Sequence, residues 1–125
     1  MRKNTFTFVA LLMLIFAGFG CKKNEPQPSS SCIEGVVIAQ RGDVVSGLPT
    51  CTSVVQITNR NIGVSWFGNN NCVFIFNLPA SLSTKNTRVF FRSYTQIPSP
   101  LFTTDCTQPP AEFTINAEGI AGQCQ

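Results

Sequence analysis

Cys72-Val73-Phe74-Ile75-Phe76-Asn77-Leu78 is the most apolar run that follows the N-terminal segment of this chain. It is β-branched and aromatic in character, and breakers stand on both sides of it. Gly68-Asn69-Asn70-Asn71 precedes it, a loop signal because Gly and Asn tolerate positive φ, and Pro79 follows. It reads as the central strand of a sheet.

Working outward, the same texture recurs. Gly, Pro, Asn, Ser and Thr punctuate the chain every dozen residues, and helical periodicity is hard to find between them. Upstream, Ile33 to Ala39 and Thr52 to Thr58 read as strands. In the second of these, Val55 and Ile57 share one face and Val54 and Gln56 the other. Arg41 to Pro49 reads as a loop, and Ile62 to Phe67 as an antiparallel return after a turn at Asn59-Arg60-Asn61. Downstream, Arg88 to Tyr94 reads as one strand closed by Pro98 and Pro100. Leu101 to Pro110 is a loop, and Glu112 to Ala117 alternates with Phe113, Ile115 and Ala117 on one face. Five or six short strands separated by loop signals predict an all-β domain. Two strands in a hairpin, a third very apolar one, a longer crossover and two more resemble the five-stranded OB-type barrel. An immunoglobulin-like β-sandwich is the alternative, short of the seven strands that such a domain needs.

The N-terminal segment predicts where the domain resides. Met1 to Thr5 is short and basic, Phe6 to Phe19 is almost wholly apolar, and Gly20-Cys21-Lys22-Lys23 follows at once. These are the parts of a secretory signal. A cysteine right after the small Gly20 resembles the lipobox of bacterial lipoproteins, which implies acylation of Cys21 and cleavage before it. Phe6 to Gly20 is shorter than the roughly 20 apolar residues a spanning helix needs. The expected organisation is therefore a lipoprotein signal peptide at 1–20, a lipidated Cys21 with a flexible tether through Ser31, and one small β-domain from Cys32 to Gln125. Two prolines, serines and charges in Lys22 to Ser31 cannot bury enough surface to offset ordering entropy. The C-x-x-G-x-V-I layout at Cys32, the Cys72-led strand, the F-x-L-P around Leu78 and the strand RVFFRSY resemble small Bacteroidota lipoproteins. That resemblance implies a β-domain on a lipid tether and no activity. By the same resemblance, Lys22 after the cysteine implies the outer membrane, on its periplasmic or its outer face.

The remaining cysteines are Cys32, Cys51, Cys72, Cys106 and Cys124, an odd number in a disulfide-permissive compartment. Two bridges and one leftover thiol are expected, with the pairing open. Metal is not expected, because the cysteines are widely spaced and the chain has no histidine. Nor is any cofactor. From Ser31 onward five basic residues (Arg41, Arg60, Lys85, Arg88, Arg92) balance five acidic ones (Glu34, Asp43, Asp105, Glu112, Glu118), which removes the electrostatic case for nucleic acid.

No arrangement of residues points to catalysis. Without histidine, a Ser or Cys nucleophile lacks its usual base, Lys85 sits in no Ser-Lys motif, and the acids are scattered singly. Arg41-Gly42-Asp43 matches an integrin-binding tripeptide, but it also matches ordinary turn chemistry, which is the preferred reading. The stripe that invites a ligand is Arg88, Phe90, Arg92 and Tyr94, placed on one face by strand alternation. Arginines interleaved with aromatics can hold a sugar, a peptide or a single strand by stacking and forked hydrogen bonds. The competing reading has Val89 and Phe91 in the core and the arginines solvated. Trp66 is either core or the rim of a site. The function expected is a non-catalytic, lipid-anchored envelope protein, a structural or accessory binding module for a glycan, peptide or protein. The alternative is a small inhibitor of a secreted hydrolase that presents a disulfide-pinned loop, Arg41 to Pro49 or Ser93 to Asp105.

Overall fold

The computed structural model describes residues 31–97, 105–107, 109 and 111–125; the apolar N-terminal segment, Cys21 and the tether through Ser30 lie outside the described residues. Among the described residues nine strands follow in chain order: β1 Ile33–Ala39, β2 Val44–Val45, β3 Leu48–Pro49, β4 Ser53–Ile57, β5 Val64–Trp66, β6 Asn69–Ile75, β7 Arg88–Phe91, β8 Ser93–Gln96 and β9 Thr114–Glu118. Two single 3-10 turns, Ala80–Leu82 and Ala111–Phe113, are the helical segments among the described residues. The domain is all-β.

Seven strands form one mixed sheet in the order β7-β1-β4-β6-β9-β8, with β5 paired to β6 beside that path. β2 and β3 form a separate hairpin. The apolar run is central, as its composition predicts. β6 is antiparallel to β4 and β5 and parallel to β9. The two outer strands β7 and β8 are consecutive in the chain, with only Arg92 between them.

Alternation along these strands builds the core. β1 alternates buried and half-buried residues along its whole length. Its Ile33 and Val37 pack with Val55, Ile57, Val73, Ile75, Val89, Phe91, Ile115 and Ala117 in one buried cluster. Burying each such aliphatic or aromatic side chain contributes about 1.5–3 kcal/mol. A second, smaller cluster, Ala39, Val54, Cys72 and Phe74, lies apart from the first, with Ile38, Val64 and Trp66 packed against it. In β4 the pattern works as read: Val55 and Ile57 enter the large cluster and Val54 the small one.

Three local expectations are corrected. Arg41 to Pro49 is not a plain loop, since β2 and β3 pair through Val44↔Pro49 and Val45↔Leu48. Its Ser46 and Gly47 both have positive φ, 56° and 87°, which gives a turn whose twist suits a two-residue hairpin. Asn69 to Asn71 is strand rather than loop. The asparagine tolerance of positive φ is used inside the ladder, where Asn71 adopts φ 58° at a register shift between β5 and β6. Consequently β5 returns onto β6 and not onto β4, whose partner beyond β1 is β6. Gly63 permits that close return: at φ +117° a Cβ there would lie 2.5 Å from backbone atoms of Asn71 and Cys72.

Two asparagine side chains take the place of backbone near strand ends. Asn59 donates Nδ2–H to the Cys32 carbonyl (3.0 Å) and accepts the Glu34 amide at Oδ1 (2.9 Å). Asn77 does the same for Ala117, donating to its carbonyl (2.8 Å) and accepting its amide (2.9 Å). Each primary amide supplies the donor and acceptor of a missing ladder residue, so polar groups next to β1 and within β9 stay satisfied.

Among the described residues two disulfides form, Cys32–Cys124 and Cys51–Cys106, and Cys72 is the free, buried thiol. The first ties the start of β1 to the end of the chain across 92 residues. The second joins the residue just beyond the β2–β3 hairpin to the segment at 105–107, where Thr107 also donates its amide to the Pro49 carbonyl (2.7 Å).

Candidate functional site

The proposed arginine-aromatic stripe does not hold together as one face. Arg88 is exposed and forms an ion pair with Glu34, while its guanidinium lies 5.5 Å from the Phe90 ring centroid. An exposed pair of this kind contributes little to stability. Phe90 is half-buried, and its backbone exchanges two 2.9 Å hydrogen bonds with Ala121. Arg92 is exposed and sits at the break between β7 and β8. Tyr94 departs from the other three. It packs against the large core cluster, edge-on to Phe91 at 6.4 Å between ring centroids.

The reason is a lost beat in the alternation. Phe91 is buried, Arg92 and Ser93 are both exposed, and Tyr94 is half-buried again. One strand became two at Arg92, whose amide donates to the Glu118 carbonyl (2.9 Å). Alternation carries a side chain to the same face every second residue only while the ladder is regular. Phe90 and Arg92 do share a shallow depression of about 290 Å³ with Cys32, Gly119, Ile120 and Ala121. Val89 and Phe91 are core, as the competing reading has it.

Trp66 is where a site takes shape. It lines a groove of about 540 Å³ together with Ile38, Ala39, Asp43, Val44, Val45, Asn69 and Lys85. Irregularities in the ladders bring these residues together. Between β1 and β4 the register shifts, Val37 opposing Val55 and Ala39 opposing Val54, so Ile38 is the extra residue of a β-bulge. Val37 therefore points into the large core, while Ile38 and Ala39 both reach the small cluster and the groove. Between β5 and β6 the shift runs from Val64↔Cys72 to Trp66↔Asn69, and it sets Trp66 against Phe74 at 6.2 Å between centroids. The β2–β3 hairpin supplies the opposite wall, with Val44 70% exposed.

The base of that hairpin is firmly built. The buried Thr50 hydroxyl donates to the Gln40 carbonyl (2.7 Å) and accepts the Gly42 amide (3.2 Å). Asp43 accepts the Gln40 amide at 2.7 Å. Arg41-Gly42-Asp43 is thus a turn, with its aspartate folded back on the chain.

Phe67 beside the groove breaks a local rule. Phe67 and Gly68 have φ 45° and 82° and form the two-residue turn between β5 and β6. Such turns favour Asn-Gly, because a bulky residue at positive φ costs about 1–2 kcal/mol. Phe67 is nevertheless 59% exposed, its ring edge-on to Trp66 at 4.8 Å.

Comparison with known proteins finds no family model, no curated protein and no solved structure that matches this chain.

The chemistry available in the groove follows from its own side chains: one indole, aliphatic walls, one carboxylate, one primary amide and one ammonium. Among the described residues Lys85 forms no ion pair, and no group of three or more His, Cys, Asp or Glu is placed to hold a metal. Beneath the groove, Cys72 is fully buried, its thiol directed at the Asn69 carbonyl (3.4 Å). Burial pushes this thiol above its ordinary pKa, and a backbone hydrogen bond from Trp66 opposes the rise. A protonated, enclosed thiol is a poor nucleophile. Trp66 was visible in the sequence as either core or rim. The partners that make it a rim were not, because a bulge and a hairpin within a presumed loop place them.

Proposed function

We propose that this protein is a non-catalytic, lipid-anchored component of the cell envelope whose β-domain acts as a binding module. The observation that carries the binding reading is the groove beside Trp66. An aromatic and aliphatic lining with a few converging polar groups is the usual make-up of a small-molecule site. Its titratable groups are one carboxylate and one ammonium, and the chain has no histidine to serve as a base. The anchor rests on the Gly20-Cys21 junction behind an apolar segment, with attachment in the outer membrane through acylated Cys21.

For the fold we propose the OB type. Three features support it. β1, β4 and β6 pair consecutively and antiparallel; β6 and β9 pair parallel; and β7 and β8, one run broken at Arg92, flank β1 and β9. A five-stranded, partly open barrel would have strands paired in this way, which supports the OB reading.

The test of the anchor is mass spectrometry of the Cys21 peptide from membranes of the native host. A diacylated or triacylated peptide is the expected result; an unmodified Cys21 refutes the anchor. A second reading, inhibition of a secreted hydrolase, draws support from the Cys51–Cys106 bridge beneath a hairpin that exposes Val44 and Leu48. It requires that the wild-type protein inhibit a secreted hydrolase and that Val44→Asp abolish the inhibition.

A further inference from the structure

We propose that the groove binds a neutral glycan, with Trp66 in its lining and Phe67, outside the lining but in contact with Trp66, forming a stacking corner, and Asp43, Asn69 and Lys85 as hydroxyl partners. The proposal deepens the binding-module reading and rests on it.

Phe67 is the first argument. The turn between β5 and β6 would be satisfied by Asn-Gly, and Phe67 at φ 45° contributes no side chain to either buried cluster. What the residue does provide is an exposed ring at 86° to the Trp66 indole. Two aromatic planes at a right angle form a corner, and sugar rings offer C–H faces that pack against such planes. A residue kept at a strained backbone position, with its ring largely exposed and outside both buried clusters, is a sign of function.

The second argument is the polar set. A pyranose carries hydroxyls that both donate and accept, so its site needs both kinds of partner. Asp43 accepts at the carboxylate oxygen that does not hold the Gln40 amide, Lys85 donates, and Asn69, whose amide nitrogen donates to the Trp66 and Phe67 carbonyls, accepts at its oxygen; all three line the groove with Trp66. The one negative and one positive charge cancel, which suits an uncharged ligand. A nucleic acid strand would also stack, but it requires a positive track, which Asp43 opposes. The volume of about 540 Å³ lies within the range of small-ligand sites.

Trp66 is the only tryptophan of the chain, so its fluorescence reports directly on the groove. The full chain, held in lauryldimethylamine oxide to avoid a sugar-based detergent, is titrated with soluble cellohexaose, laminarihexaose, mannohexaose and chitohexaose. A parallel titration uses tryptic casein peptides. A saturable change of emission with at least one oligosaccharide is expected. Phe67→Asn keeps the reporter and suits the turn, so it should remain folded while binding that sugar about five- to tenfold more weakly. Unchanged affinity in Phe67→Asn overturns the stacking corner. A response to the peptides alone overturns the glycan and leaves the binding module standing; silence with every probe overturns both.

Discussion

The two hydrophobic clusters of this small domain are built by different rules. The large one comes from regular alternation: Val37, Val55, Val73, Val89 and Ile115 are fully buried, each supplied by a different strand at its expected beat. The small one lies where the ladder is irregular. A bulge delivers Ile38 and Ala39, a second register shift delivers Trp66, and an exposed hairpin forms the wall opposite. The first arrangement packs its side chains into a buried core. The second leaves a groove, because bulged strands turn and separate instead of packing flat. The larger part of the buried packing and the groove thus lie in two different parts of one sheet.

That division can be broken most severely at Phe91. Phe91→Ala should cost about 3–5 kcal/mol in urea unfolding, because the ring is 1% exposed in the large cluster. Trp66→Ala should cost only about 1–2 kcal/mol, since the indole is half-buried. Equal losses would mean that the two clusters form a single core.

Next in size is the bridge at the base of the hairpin. Replacing Cys51 and Cys106 together by serine should cost about 2–4 kcal/mol for a loop of this span. Amide exchange should rise first around Val44 and Leu48, with β1 and β6 still protected; uniform loss of protection would show that the hairpin is part of the main cooperative unit.

Phe67→Asn should act in the other direction, raising stability by about 0.5–1 kcal/mol as the turn loses its strain. A lower melting temperature would assign the ring a packing role and remove the first argument for the glycan site.

The smallest effect concerns Cys72. Its folded pKa is raised, so its contribution to stability is complete below the unfolded thiol value of about 8.5 and is lost as pH climbs through the folded value. Stability should therefore decline across that window and level off above it. Cys72→Ala should flatten this decline, and the native thiol should resist iodoacetamide until the protein unfolds. A slope that persists in Cys72→Ala would have to come from another group.

Much of the fold was legible in the residues. β1 is found where Ile33 to Ala39 places it, β6 is central as its apolar run implies, and Val89, Phe91, Ile115 and Ala117 face the core. The site was less legible. Tyr94 was grouped with Arg88, Phe90 and Arg92 by counting in twos, and the break at Arg92 moved it to the core. Trp66 stands out as the one tryptophan, but Ile38, Val44 and Asn69 carry no signal of their own, since the first fits a regular strand and the other two fit loops.

Composition and alternation by themselves determined the all-β class, the positions of β1 and β4, the central place of the apolar strand and the burial of the large core. These depend on each residue and its near neighbours, because strand geometry repeats every second position. Only the tertiary structure decided which cysteines pair, which strand β5 joins, where alternation slips and which side chains meet across the groove. Each of those depends on partners far apart in sequence: Cys32 with Cys124, Ile38 with Trp66, Val44 with Lys85. A one-residue shift in register reverses every later side chain in a strand, and whether it occurs is settled by the packing of the neighbouring strand.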